Sequence, residues 1–127
     1  LYHYPHVEVT GSGLVAKAPQ RTWLVYGPYI DLDPGDYAVS FDLEAAGISD
    51  GDPVTCLIDV VAKHTQLADK ILAYRTLTYS DLSASGAYDP RRLHFNLPNK
   101  ETNVEFRVWA CGVTDLTAKE ITLERLG

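Results

Sequence analysis

Methionine is absent from all 127 residues, and cysteine occurs only twice. Translation begins with Met, so the reading is a processed chain or a domain, residues 1–127, excised from a larger protein. A β domain of that origin is expected to be a binding or structural module rather than a self-sufficient enzyme. Cys56 and Cys111 both fall within apolar strand patterns. A disulfide between them needs Cα atoms within about 7 Å. A domain of this length needs no such staple, so free thiols and a reducing, cytoplasmic setting are the expectation, with secretion or a cell-surface location left open.

Basic charge is also scarce. Eleven Lys and Arg stand against 17 Asp and Glu, for a net charge of −6. A sequence-independent grip on nucleic acid needs a basic surface, and docking on anionic lipid needs one too. No apolar run approaches the roughly 18 residues of a membrane-spanning helix. Catalytic signatures are missing as well. Gly11-Ser12-Gly13 lacks the nucleophile-elbow pattern, and no Gly-rich phosphate loop occurs. A glycosidase needs two facing carboxylates. Asp42 with Asp59 or Glu105 could be offered, but any acidic sheet supplies such pairs. The expectation is no enzyme.

What is present is alternation. From Thr22 to Glu44 two strand patterns flank Asp33-Pro34-Gly35. Pro34 presets φ for a central turn position, and Gly35 is suited to the positive φ of a type II turn. Beyond it Tyr37, Val39, Phe41 and Leu43 alternate with Ala38, Ser40, Asp42 and Glu44, the mark of a half-buried strand. Val54–Ala62 is apolar on both faces and reads as a central strand. Leu93, Phe95 and Leu97 point inward from Arg92–Leu97. Val104, Phe106, Val108 and Ala110 do so from Val104–Ala110, and Ile121 and Leu123 from the closing segment. Short strands are expected near Val7–Thr10, Leu14–Lys17, Thr22–Tyr26 and Tyr29–Leu32. Leu67–Tyr79 fits helix and strand spacing alike and is read as strand in its second half, with one helical turn near Ser80–Ala84. Nine or ten short strands and no long helix predict an all-β, antiparallel β-sandwich of jelly-roll type, with a small closed barrel as the alternative.

The run Tyr26-Gly27-Pro28-Tyr29-Ile30, followed by Leu32-Asp33-Pro34-Gly35-Asp36-Tyr37, resembles a signature of jelly-roll domains in bacterial polysaccharide-related proteins. Such domains are often fused to glycosyltransferases and are similar to carbohydrate-binding modules. Cys56–Val60, Leu93-His94-Phe95, Val104–Trp109 and Ile121-Thr122-Leu123 extend the likeness, which spans Trp23 to Leu126. The resemblance implies a non-catalytic module recognising an oligosaccharide or polysaccharide within a larger protein. The rival class is a structural or protein-interaction domain.

Sugar binding needs an aromatic face against the C–H face of a pyranose and polar groups for its hydroxyls. Alternation puts Glu105, Arg107 and Trp109 outward on one strand, Arg92, His94 and Asn96 on another, and Ser40 and Asp42 on a third. The expected ligand-binding set is Trp109, Arg107, His94, Asp59, Asp42 and Tyr74, with Trp109 as the stacking ring. Competing readings are a loop covering Trp109, an ion pair of Arg107 with Glu105 or Asp59, and a solvated His94. Trp23, Tyr26 and Tyr29 form a second aromatic group, expected to fill core and edge and, with the loops, to be the alternative site if Trp109 is a core residue; Tyr2, His3, Tyr4 and His6 are expected to form a linker or docking strand. Jelly-roll sugar modules commonly hold a structural calcium ion, and the resemblance points to Glu8 with Glu120 as its place. The loop carboxylates Asp31, Asp33, Asp36, Asp50 and Asp52 are read as a looser calcium possibility or as solvated turn residues.

Overall fold

A computed structural model describes residues 8–10, 13–46, 51–63, 69–84 and 88–127. The opening aromatic and histidine segment, Asp50, and the side chain of Glu8 lie outside the described residues. Ten strands are described: β1 (Glu8–Thr10), β2 (Gly13–Ala16), β3 (Thr22–Val25), β4 (Pro28–Leu32), β5 (Gly35–Ala45), β6 (Val54–Lys63), β7 (Asp69–Thr78), β8 (Arg92–Leu97), β9 (Glu101–Ala110) and β10 (Leu116–Arg125). The ambiguous stretch is strand throughout Asp69–Thr78. One helical turn, α1 (Tyr79–Leu82), follows it. Thr78 and Asp81 close that turn reciprocally, each side chain accepting the other's backbone N–H. Among the described residues no helix is long and apolar enough to cross a membrane.

The strands form two antiparallel sheets. The first has the order β1-β2-β10-β5-β8. The second has β3-β9-β6-β7, with β4 also pairing with β9. Taking β3 and β4 as one interrupted strand, the four-stranded orders β2-β10-β5-β8 and β3/4-β9-β6-β7 are those of a jelly roll. Successive strands cross repeatedly from one sheet to the other, which lets two sheets pack face to face around a shared core.

The inward positions expected from alternation build that core. Val39, Leu43, Ile58, Val60, Val104 and Val108 are fully buried, and Phe41, Leu93, Leu97 and Phe106 nearly so. Ile121 and Leu123 are only partly buried, packed against the cluster from outside. Strand β6 lies between β9 and β7, as its apolar composition predicted.

Asp33-Pro34-Gly35 plays a different part from the expected one. It carries the chain from β4 in the second sheet to β5 in the first. Gly35 has φ 157°, far from the value near +80° of a type II turn. Glycine serves packing there: a Cβ would lie 2.8 Å from the Gly127 carbonyl oxygen. That close approach lets Asp36 N–H donate to Gly127 O at 3.1 Å and Leu126 N–H to Asp36 O at 2.7 Å.

Candidate functional site

The outward face of the second sheet is built around β9. Register sets Trp109 opposite Trp23 on β3 and Leu57 on β6, Arg107 opposite Asp59, and Glu105 opposite Val61. Trp23 and Trp109 meet edge to face, with centroids 5.1 Å apart. Arg107 forks onto Asp59, Nε to Oδ1 at 2.9 Å and Nη2 to Oδ2 at 2.8 Å. Its guanidinium lies 4.3 Å from the centroid of the Trp23 ring. The ion-pair reading of Arg107 is therefore the observed one. Both partners are largely removed from water, so each makes the other's burial tolerable.

The aromatic wall depends on the interruption between β3 and β4. The Gly27–Pro28 peptide is cis, and Gly27 has φ 85°. Glycine can hold that conformation without a Cβ clash, and the Gly27 carbonyl still accepts from Phe106 N–H at 2.8 Å. Tyr29 then takes φ 66°, a left-handed conformation that is costly for an aromatic residue. Tyr26 and Tyr29 face each other across this interruption, edge to face with centroids 6.4 Å apart. Trp23, Tyr26, Tyr29, Lys63, Glu105 and Arg107 together line a cavity of about 270 Å³. The expectation for these three aromatic residues holds in part: Trp23 and Tyr29 stand on the edge strands β3 and β4 with Tyr26 between them, but none belongs to the core, and all three line the cavity, with Tyr29 38 % exposed.

Glu105 is the unusual member. It is only 2 % exposed, and among the described residues nothing hydrogen-bonds its Oε2. Lys63 Nζ is 3.9 Å away and 6.0 Å from the Tyr29 centroid, on a side chain 46 % exposed. This is an ion pair without a hydrogen bond. The buried Glu101 on the same strand shows the contrast, since Lys70 donates to its Oε2 at 2.7 Å.

The six expected ligand residues do not form one site. Trp109, Arg107 and Asp59 share the face just described, although Trp109 borders a neighbouring hollow with Arg21, Val54, Cys111 and Val113. Tyr74 lies opposite Asp59 but on the edge strand β7. It shares a groove with Ile71, Arg75 and His94, between the edges of the two sheets. His94 belongs to β8 of the first sheet and is exposed beside Arg92. Asp42 is exposed on β5, also in the first sheet, near Asp89, Arg91 and Glu120. Alternation assigns a residue to one face of its own strand but not to one of two sheets, so it does not separate His94 and Asp42 from Trp109.

Among the described residues no group of three or more His, Cys, Asp or Glu is arranged to hold a metal ion. Two of the carboxylates read as loop residues, Asp52 and Asp31, instead serve the backbone, and Asp31 lies within β4. Asp52 accepts from the Ser80 N–H at 2.7 Å and the Ser80 hydroxyl at 2.5 Å, which holds its carboxyl below the usual range. Asp31 accepts from Asn103 N–H at 3.3 Å. Cys56 and Cys111 are free thiols, and burial pushes the Cys56 thiol up to about 12. Such a thiol is inert packing rather than a nucleophile.

Comparison with family models, with curated proteins and with solved structures returns no match to this chain.

Proposed function

We propose that this chain binds an oligosaccharide or polysaccharide without chemical turnover, through the cavity walled by Trp23, Tyr26 and Tyr29. One observation carries the reading: three aromatic side chains converge with Lys63, Glu105 and Arg107 in one cavity on the outward face of β9. Aromatic rings suit the C–H face of a pyranose, and the charged groups suit its hydroxyls. The strained Tyr29 backbone supports the reading, because such conformations concentrate where ligands are held. The resemblance to jelly-roll modules of polysaccharide-related proteins agrees with it, although a fold alone never fixes a function.

The test is a glycan array followed by titration of any hit. Tyr29→Ala is expected to weaken binding roughly 30-fold while the domain stays folded, since truncating a central aromatic contact costs about 2 kcal/mol. An array without hits, together with a tight protein partner in pull-down, would replace this reading with the rival. The groove beside β7 favours that rival, because Ile71 and Tyr74 are exposed there on an edge strand, the place where another chain's strand can add.

A further inference from the structure

We infer that the cavity selects neutral sugars and rejects both uronic acids and amino sugars. The inference rests on the reading of the cavity as a sugar site and concerns what that site accepts. Its basis is the relation between Glu105 and Lys63. A carboxylate that is 2 % exposed and an ammonium 3.9 Å from it sit at one cavity, oppositely charged but not hydrogen-bonded. A buried acceptor without a hydrogen bond is costly and calls for an explanation. The other cation of the cavity is committed elsewhere, with Arg107 forked onto Asp59 and stacked over Trp23.

The group that satisfies such a pair is one that donates and accepts at once. A hydroxyl does both: its O–H donates to Glu105 while its lone pairs accept from Lys63. The half-exposed Lys63 side chain has only to swing outward to admit it. A ligand carboxylate would compete with Glu105 for the ammonium and face a buried like charge. A ligand ammonium would compete with Lys63 for the carboxylate and face a like charge on the other side. Either charged ligand leaves one protein charge without its partner, which is the costly outcome in a desolvated site. Only the neutral hydroxyl keeps both. The rings of Tyr26 and Tyr29 then supply stacking that does not depend on the ligand's charge.

The experiment is calorimetric titration of the intact chain at about 0.15 M salt. The probes are neutral gluco-, galacto- and manno-oligosaccharides, uronic acid oligomers, and glucosamine oligomers. The best neutral ligand is expected to bind at least about tenfold more tightly than either charged class, a difference of one charge-assisted contact. Glu105→Gln should narrow the gap to the uronic acids, and Lys63→Gln the gap to the glucosamine oligomers. A merely structural role for either residue would lower affinity for all three classes alike. Equal or tighter binding of a charged class by the unaltered chain overturns the inference, as do ratios that neither variant moves. If those results accompany neutral binding that Tyr29→Ala abolishes, the sugar site stands and only its selectivity was misread. If no class binds, both readings fall.

Discussion

The outward faces of the two sheets use similar residues to opposite ends. On the first sheet the charges stand in water and pair across strands, with Arg92 on Glu124 at 3.0 Å and Lys119 on Glu44 at 2.6 Å. On the second sheet Asp59 and Glu105 are buried beneath Arg107, Lys63 and a wall of aromatic rings. Both faces come from the same alternation of inward and outward positions. What separates them is the covering, because a charge pair in water contributes little while one stripped of water is expensive to disturb. The face that bears the larger electrostatic cost is the better candidate for function.

The largest effect is expected of Arg107→Ala. It leaves the Asp59 carboxylate buried without its fork, and a loss of about 3–5 kcal/mol in denaturant unfolding is expected. A loss below about 1 kcal/mol would put this face on a par with the solvated one. Trp109→Ala comes next. Its ring is half-buried against Trp23, and removal of that contact is expected to cost about 2 kcal/mol of stability. Sugar affinity of the folded fraction should change less than in Tyr29→Ala, because Trp109 borders the neighbouring hollow. Tyr29 itself allows a finer test. Tyr29→Gly and Tyr29→Ala should lose binding equally, but the glycine variant should be the more stable by about 1 kcal/mol, since only glycine holds φ 66° without strain. On the solvated face Arg92→Ala should cost no more than about 1 kcal/mol, and less as salt is raised.

The smallest effect concerns Lys119. The hydrogen bond to Glu44, which outweighs a little desolvation, holds its ammonium above the usual lysine range. A raised folded-state value means that the stabilisation is complete below the ordinary lysine pKa and disappears as pH climbs through the raised one. The stability difference between the unaltered chain and Lys119→Met should therefore be flat from neutral pH to mild alkali and shrink beyond it. A difference that grows with alkali would contradict the pairing.

Much of the fold was legible because each strand wrote its own period. The inward sets of β5, β8 and β9 were read residue by residue, and the jelly-roll order is the one their number and spacing suggested. Partition between sheets was not legible. Asp33-Pro34-Gly35 reads the same whether it joins neighbours or crosses the sandwich, and that ambiguity drew His94 and Asp42 into a site they do not share. The cavity was half legible. Outward alternation found Arg107 and left its partner open between Glu105 and Asp59, of which the fold selects Asp59. It could not find Tyr26 and Tyr29, because the positive φ values at Gly27 and Tyr29 break the period on which such reading depends. Nor could it find the burial of Glu105, an outward position covered by neighbours distant in sequence. The one available signal was the Tyr-Gly-Pro-Tyr run itself, where a strand is interrupted with an aromatic on each side.

The interruption between β3 and β4 has a consequence for how such a domain could diversify. The rings hang from one short stretch at the margin of the second sheet, whereas the Lys63 and Glu105 pair rises from β6 and β9, more than 30 residues further along the chain. On the sugar-binding reading proposed above, grip and discrimination would thus lie on separate pieces of sequence. Exchanging a ring at the margin would retune how firmly a partner is held and leave the central charges in register. Exchanging a charge on β9 would change which partner is admitted and leave the wall standing.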